Sequence, residues 1–118
     1  MIGEDPMKFE FLLAPTADLA GSLALYRDSL GWEEVWREGE ATVVLAMPGT
    51  EVKLMLDAND PEAPPGPLFI VDSVKTFHAD RPEALGVIAE PSEIPGGFVA
   101  TYQDPGGSIM YVMDQSTE

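Results

Sequence analysis

The same order of secondary-structure signals occurs twice along the chain, and this repeat limits the possible folds more than any other feature. In the first half, a strand pattern precedes a helix signal that runs from Asp18 to Gly31. In the second half, another strand pattern precedes a helix signal that runs from Asp72 to Gly86. Three further strand signals follow in each half, so the sequence reads β-α-β-β-β twice. Two units of about 50 residues, neither able to close a core alone, are expected to pair with each other.

Local patterns define the predicted boundaries of the elements. The first strand, 8–14, alternates so that Phe9, Phe11 and Leu13 share one face. Apolar residues at spacings of four, three and four predict an amphipathic first helix. The remaining elements are predicted, in chain order, as strands 32–37, 41–46, 51–57 and 67–71, helix 72–85, strand 87–89, loop 90–96, and strands 97–103 and 108–114.

These elements predict an α+β protein with a single folded domain, 8–118, that follows a polar N-terminal tail, 1–7. Within this domain, the modules are 8–57 and 66–115, and a proline-rich linker, 58–65, joins them. Helices that pack on one face of a mostly antiparallel sheet leave the other face free. We therefore expect that face to curl into a cup.

Composition excludes several classes of chemistry. The 118 residues contain no cysteine, which excludes disulfide scaffolds, thiolate metal sites and cysteine nucleophiles. A single histidine, His78, excludes a histidine-rich metal site within one chain. With 21 acidic and 6 basic residues the formal net charge is -15, which argues against binding to nucleic acid or to an anionic membrane. Such acidity is typical of a highly soluble or salt-adapted protein, or of one that attracts a cationic ligand.

The sequence also indicates the cellular compartment of the protein. No stretch approaches the roughly 20 apolar residues of a membrane span. The first residues, MIGEDP, have no basic start and no apolar core, unlike a secretory signal. We therefore expect a cytoplasmic protein.

Two segments carry a resemblance to a known superfamily. TADLAGSLALYRDSLGW (16–32) and YQDPGGSIMYVMDQ (102–115) resemble the two ends of a vicinal oxygen chelate domain. This superfamily includes glyoxalase I, bleomycin-resistance proteins and extradiol dioxygenases. The resemblance extends over 8–115. It implies two βαβββ modules whose sheets form an open, cupped β-barrel with the helices on the outside, commonly completed by a second subunit.

The resemblance also implies where a metal would be bound. Metal enzymes of the superfamily use four ligands, usually His and Glu, on the first and last strands of the two modules. The matching positions here hold Phe11, Lys53 or Leu54, Gly66 or Pro67, and Tyr111. None of these side chains is a usual ligand of a divalent cation. A slipped register could bring one carboxylate inward, such as that of Glu10, but not a full set, so we expect neither a metal nor another cofactor.

Strand alternation gives the predicted cup an apolar and aromatic lining. The predicted ligand-binding residues are Phe9, Phe11, Lys53, Met55, Tyr102, Tyr111 and Met113, with Phe98 as a further candidate. This lining suits a planar or apolar small molecule, or it fills a collapsed interior. For Lys53 there are two alternatives, contact with a ligand carboxylate or pairing with an acidic neighbour on the surface.

Other polar and aromatic residues are assigned to the surface or to an interface. His78 is predicted to be exposed or half-exposed on the outer helix, where a surface role is favoured over a general base. Trp32 and Trp36 are predicted on the same side of one strand, where they stack on a ligand or seal the sheet against the helix or a second subunit. We expect a homodimer, because a partner can cover sheet edges, with Trp32, Trp36 and the loop 58–66 as candidate contacts.

Three functions are compatible with these features. The first, which we favour, is a metal-independent small-molecule-binding protein of the glyoxalase/bleomycin-resistance type, with an apolar or aromatic ligand that carries a cationic group if the acidity contributes. The second is a glyoxalase-like lyase or isomerase that uses Glu10, Tyr102 or Tyr111 as acid–base groups without a metal. The third is a domain with a role in assembly or regulation. The sequence assigns no catalytic residue.

Overall fold

The computed structural model describes residues 7–116, which form eight strands and two helical regions. In chain order these are β1 (Lys8–Pro15), α1 (Leu19–Leu23) with a π-helical continuation (Ala24–Ser29), β2 (Glu34–Glu38), β3 (Thr42–Ala46), β4 (Lys53–Asp57), β5 (Gly66–Ile70), α2 (Val74–Asp80), β6 (Gly86–Ile94), β7 (Gly97–Gln103) and β8 (Ile109–Met113). The order β-α-β-β-β occurs twice, which confirms the predicted α+β class with two βαβββ modules. Of the predicted tail 1–7, only Met7 lies within the described residues.

The chain divides into two compact units. The first unit is Glu10–Pro65, and the second comprises 66–116 together with 7–9. Each unit thus contains one module, except that the start of β1 belongs to the second unit. The predicted linker, 58–65, contains neither helix nor strand.

In the first unit the strand order is β2-β3-β4-β1. β1 and β4 are parallel, with Leu12 beside Leu54, whereas β3 is antiparallel to both β2 and β4. The buried Leu23 of α1 packs against side chains of β3 and β4, namely Val43, Leu45, Leu54 and Leu56. The helix therefore covers one face of this sheet, and burial of these aliphatic groups is the main source of its stability.

The second unit has the same arrangement, with strand order β5-β8-β7-β6. β5 and β8 are parallel, and β8-β7 and β7-β6 are antiparallel. Val74 and Phe77 of α2 pack in one cluster with Val71, Ala100, Tyr102 and Val112. The repeat in the sequence is therefore a repeat in the structure.

The first helix begins and ends where the sequence predicts. The carboxylate of Asp18 caps α1 by accepting a hydrogen bond from the backbone N–H of Gly21 at 2.9 Å. Beyond α1 the turns widen, and the N–H of Leu30 donates to the carbonyl oxygen of Leu25, five residues back, at 2.9 Å. The helical region stops at Gly31, whose φ of 80° favours glycine.

The structure places Trp32 outside the strand predicted for 32–37. Its ring packs on that of Tyr26, with 5.0 Å between centroids. The backbone N–H of Trp32 donates to the carbonyl oxygen of Tyr26 at 2.9 Å. β2 begins only at Glu34, and a register shift separates Glu34 from Trp36. The prediction that Trp32 and Trp36 share one side of one strand is therefore wrong, because Trp32 is held at the end of the helix.

The second helix is shorter than predicted at both ends. Ser73 rather than Asp72 caps it, because the Ser73 hydroxyl accepts from the N–H of Thr76 at 3.2 Å. At the other end Arg81 is extended, with ψ of 149°. It precedes Pro82, whose ring disfavours helical geometry at the preceding residue.

The strand after α2 is longer than predicted. The predicted loop 90–96 is wrong as far as Ile94, because β6 continues to that residue. β6 lies at the edge of its sheet, so Pro91, which has no N–H to donate, fits within it. Register shifts between Val87 and Ser92 show that the strand is bulged.

Asp114, directly after β8, joins three parts of the second unit. Its side chain is buried; Oδ2 accepts from the N–H of Val74 at 2.6 Å and Oδ1 from the N–H of Phe98 at 2.9 Å. Oδ1 also accepts from the N–H of Ser116 at 3.1 Å and from its hydroxyl at 2.9 Å. Burial raises the pKa of Asp114, but these donors lower it by more, so the pKa lies below its ordinary value. An ionised carboxylate thus fixes the start of α2 to the start of β7.

Candidate functional site

The face of the first-unit sheet opposite α1 carries several of the predicted ligand-binding residues. Leu12, Leu54 and Leu56 pack on the α1 side, so their neighbours along β1 and β4 point the other way. We refer to this second side as the open face. It carries Phe11, Leu13, Val44, Lys53 and Met55.

Cross-strand pairing brings these residues together. Phe11 lies beside Lys53, and Met55 lies beside both Leu13 and Val44. Leu13 and Val44 are buried, whereas Phe11, Lys53 and Met55 are only half-buried. The accessible part of the open face therefore includes an aromatic ring, a thioether and an ammonium group on two paired strands.

Lys53 is held by a carboxylate from the start of β1. Its Nζ lies 3.1 Å from Oε2 of Glu10 and 3.5 Å from the carbonyl oxygen of Glu51. Pairing with an acidic neighbour was one of the two alternatives for Lys53. Lys53 and Leu54 are the two candidates for one ligand position of the superfamily. Leu54 lies in the cluster beneath α1, so only Lys53 lies on the open face.

In the second unit, Tyr111 and Met113 lie on the face opposite α2. Val112, between them, belongs to the cluster beneath α2, so its neighbours point away from the helix. Tyr111 is buried and lies beside Leu68 of β5. A Cβ atom on Gly66 would lie 3.6 Å from Cε2 of Tyr111, so Gly66 and Tyr111 are neighbours. Phe11 and Lys53 are neighbours in the same way in the first unit.

Tyr102 lies on the other face of the second unit, which corrects the prediction that it lines a cup with Tyr111. It is fully buried beneath α2, and Phe98 packs against the same cluster. Thr101 pairs with Tyr111, so the next residue, Tyr102, points toward the helix. Sequence alternation grouped Phe98 with Tyr102 correctly but could not determine which side the helix covers.

Phe9 also lies on the α2 side of the second unit. Its ring contacts that of Phe69, with 5.5 Å between centroids, and Phe69 pairs with Val112 of the α2 cluster. Met7, two residues earlier, packs against the same cluster. Phe9 and Tyr111 therefore lie on opposite faces of the second unit, which corrects the prediction that both line a cup.

His78 bridges Tyr102 and the edge strand β6. Its Nδ1 lies 2.8 Å from the Tyr102 hydroxyl, and its Nε2 lies 3.2 Å from Oε1 of Glu90. His78 is half-buried, as predicted, but it is bound on both sides. Burial raises the pKa of Tyr102, with a smaller lowering by Arg81 and a smaller raising by Glu90. The phenol therefore stays protonated at neutral pH and can donate its O–H to Nδ1 of His78.

Replacing Tyr102 by phenylalanine is expected to lower the free energy of unfolding by about 1 kcal/mol at neutral pH, the value of one hydrogen bond. A raised folded-state pKa contributes stability that is present below the ordinary value of about 10 and is lost as pH rises through the folded pKa. Denaturant unfolding between pH 8 and pH 11 should therefore show a smaller alkaline loss for Tyr102→Phe than for the wild type. If the wild type and Tyr102→Phe lost the same stability between pH 8 and pH 11, the raised pKa of Tyr102 would be contradicted.

Metal-ligating side chains do not gather in the part of the chain that the structure describes. Among residues 7–116, no group of three or more His, Asp or Glu side chains lies close enough together to hold a metal ion. Within the same range, no helix has the length and apolar character needed to cross a membrane.

Comparisons with known proteins agree on the family. The sequence profile of the Glyoxalase/Bleomycin resistance protein/Dioxygenase superfamily matches residues 8–110. A search of curated proteins gave no match.

Solved structures with the same fold share little sequence with this chain. A structure titled NAD-dependent benzaldehyde dehydrogenase, from Legionella pneumophila, is 18% identical, with a TM-score of 0.73 over 89% of this chain and 97% of that chain. A hypothetical protein from Bacillus halodurans C-125 is 16% identical, with a TM-score of 0.67 over 95% and 96%. A superfamily member from Vibrio splendidus 12B01 is 17% identical, with a TM-score of 0.55 over 93% and 98%. At such identities the likeness concerns the fold alone. Because the profile spans most of the sequence, the chain belongs to the glyoxalase/bleomycin resistance protein/dioxygenase superfamily.

Proposed function

We propose that the chain is a metal-independent small-molecule-binding protein of the glyoxalase/bleomycin-resistance type, which holds an apolar or aromatic ligand. The observation that carries this proposal is the accessible group of Phe11, Lys53 and Met55 on paired strands of the open face. A ring and a thioether offer a flat, adaptable apolar surface, and an ammonium can orient a bound molecule. In the second unit we assign the same role to Tyr111 and Met113.

Metal independence is proposed from the residues at the family's ligand positions. The resemblance puts Phe11 and Lys53 at these positions in the first unit, and Gly66 or Pro67 together with Tyr111 in the second. None of these offers a carboxylate or imidazole to a divalent cation. After chelation and reloading with zinc, nickel, manganese or iron, elemental analysis should find far less than one equivalent per chain. One tightly bound equivalent would contradict this part of the proposal.

Ligand binding can be tested with a planar neutral probe, 2-naphthalenemethanol, titrated into the protein and followed by NMR. Phe11→Glu is expected to abolish binding while the fold is kept, with at most about 2 kcal/mol lost from the free energy of unfolding, because Lys53 beside it offsets part of the burial cost. The matched control is Leu12→Glu, which places a carboxylate on the α1 side and should destabilise more. Wild-type affinity in folded Phe11→Glu protein, or equal unfolding of both variants, would refute the site.

We also propose that the protein is a cytoplasmic homodimer. Trp36 is exposed on β2, the outer strand of the first-unit sheet, and a second copy can cover such an edge. Trp32 and the loop 58–66 remain candidate contacts. Light scattering at low micromolar concentration should give about twice the chain mass of 12.7 kDa. A mass of one chain would contradict the proposal.

An alternative function is a lyase or isomerase that works without a metal. Of the three candidate acid–base groups, Tyr102 is buried beneath α2, whereas Glu10 lies beside the Lys53 ammonium. In this function Glu10 would take up the proton, and the Lys53 ammonium would stabilise the negative charge that develops on the substrate. Deuterium exchange from solvent into α-hydroxycarbonyl compounds, present in the wild type and absent in Glu10→Gln, would support this function.

A further inference from the structure

Lys53 differs from the other cations of the first unit in its surroundings. Glu34 accepts hydrogen bonds from Arg27 at 2.8 Å and from Arg37 at 2.8 and 2.9 Å. Hydrogen bonds from Arg37 and Arg27 lower the pKa of Glu34 to about 2, so this carboxylate stays ionised between the two guanidinium groups. Lys53 instead lies on the open face beside Phe11, where the accessible apolar groups are.

The ammonium of Lys53 has more donors than its neighbours in the described residues accept. An ammonium has three N–H groups. One points to Glu10 at 3.1 Å and one to the Glu51 carbonyl oxygen at 3.5 Å, the longer and weaker of the two contacts. The structure shows no protein acceptor for the third N–H among residues 7–116, and the side chain is 35% exposed. Glu10 thus holds the ammonium in place and leaves a donor available beside the ring of Phe11.

The charge of the Lys53 ammonium and the net charge of the chain act on a ligand over different distances. The formal net charge of -15 favours cations at long range, but salt screens such forces over about 8 Å at physiological ionic strength. A ligand oxygen in contact with Lys53 would lie about 3 Å from the ammonium, where the direct interaction dominates. A cationic ligand group at the same place would meet a like charge, and Glu10 is already engaged by Lys53.

We propose that Lys53 selects ligands in which a carboxylate is attached to a flat apolar or aromatic body, with the carboxylate on Nζ and the body against Phe11 and Met55. This inference rests on the proposed binding function and names its ligand class. The carboxylate accepts the N–H that the protein leaves unused, which gives a charge-assisted hydrogen bond.

The test compares three probes that share one ring system: 2-naphthoate, 2-naphthalenemethanol and 2-naphthylmethylammonium. Calorimetric titration of the full chain at physiological salt should give about tenfold tighter binding of naphthoate than of the alcohol, the value of one hydrogen bond to a charged group. The ammonium probe should bind most weakly. Lys53→Met should abolish the preference for naphthoate over the alcohol, and Lys53→Arg should retain the preference.

The matched control is Lys75→Met, which removes a lysine that lies over the Phe98 ring on the α2 side, 4.4 Å from its centroid. It should keep the wild-type preference. Equal binding of naphthoate and the alcohol by the wild type, or a preference that survives Lys53→Met, would overturn the inference and leave the proposed function standing. Failure of all three probes to bind would overturn the proposed function itself.

Discussion

Replacing Asp114 by alanine is expected to lower the free energy of unfolding by about 4 kcal/mol. The substitution leaves the backbone N–H groups of Val74 and Phe98 without their acceptor, and an unsatisfied buried donor costs about 1–3 kcal/mol. It also removes the contacts with Ser116. Urea unfolding followed by circular dichroism measures the loss.

The matched control for Asp114 is Asp104→Ala. Asp104 is an exposed carboxylate in the turn between β7 and β8 and accepts hydrogen bonds from the N–H groups of Gly106 and Ser108. Because water can replace these contacts, this control should cost about 1 kcal/mol or less. Similar losses for Asp104→Ala and Asp114→Ala would show that the carboxylate of Asp114 does not organise the second unit.

Asp114 also predicts the direction of acid destabilisation. Its folded-state pKa is depressed, so its contribution is present above the ordinary value of about 3.9 and is lost as pH falls through the folded pKa. The wild type should therefore lose stability below about pH 4. Asp114→Asn should be less stable at neutral pH and should lack this part of the acid loss. If the wild type and Asp114→Asn lost stability in parallel as the pH falls, the depressed pKa of Asp114 would be contradicted.

Gly97→Ala is expected to cost about 3 kcal/mol, because the new methyl group has no space. A Cβ atom at Gly97 would overlap the carbonyl oxygen of Asp114 and lie 2.5 Å from its Oδ1. Neither group can yield easily, since the carbonyl is backbone and the carboxylate is held by Val74 and Phe98. Differential scanning calorimetry should show a clearly lower Tm.

Gly86→Ala is the control for Gly97→Ala. Gly86 begins β6, and a Cβ atom there would lie 3.5 Å from the carbonyl oxygen of Gln103, an ordinary contact. Its Tm should stay close to that of the wild type. A wild-type Tm for Gly97→Ala would mean that the approach of Asp114 to Gly97 is looser than the structure shows.

The element order was predictable because its signals are local. Gly31 ends the first helix with a left-handed conformation that glycine adopts freely, and Pro82 shortens the second helix through its effect on Arg81. The extent of β6 was not predictable in this way. Proline at position 91 predicts the end of a strand unless that strand lies at a sheet edge. Whether β6 lies at an edge depends on the strand order, which is determined by contacts between residues distant in sequence.

The candidate site was predictable only in part, for a related reason. Phe11, Lys53 and Met55 follow from simple alternation on β1 and β4. The faces on which Phe9 and Tyr102 lie required knowledge of which side of the second-unit sheet α2 covers. The close approach of Asp114 to Gly97 is likewise a contact between segments, and no local pattern marks it.

The parallel pairing of first and last strands has a consequence for how each unit assembles. Phe11 and Lys53 are 42 residues apart in sequence, and Leu68 and Tyr111 are 43 apart, yet each pair lies side by side. Closing such long loops costs chain entropy before the paired strands compensate for it, and non-local topology of this kind slows folding. During synthesis, β1 must wait for β4 to leave the ribosome before its parallel neighbour exists. The two units close loops of nearly equal length, so we expect similar barriers for both.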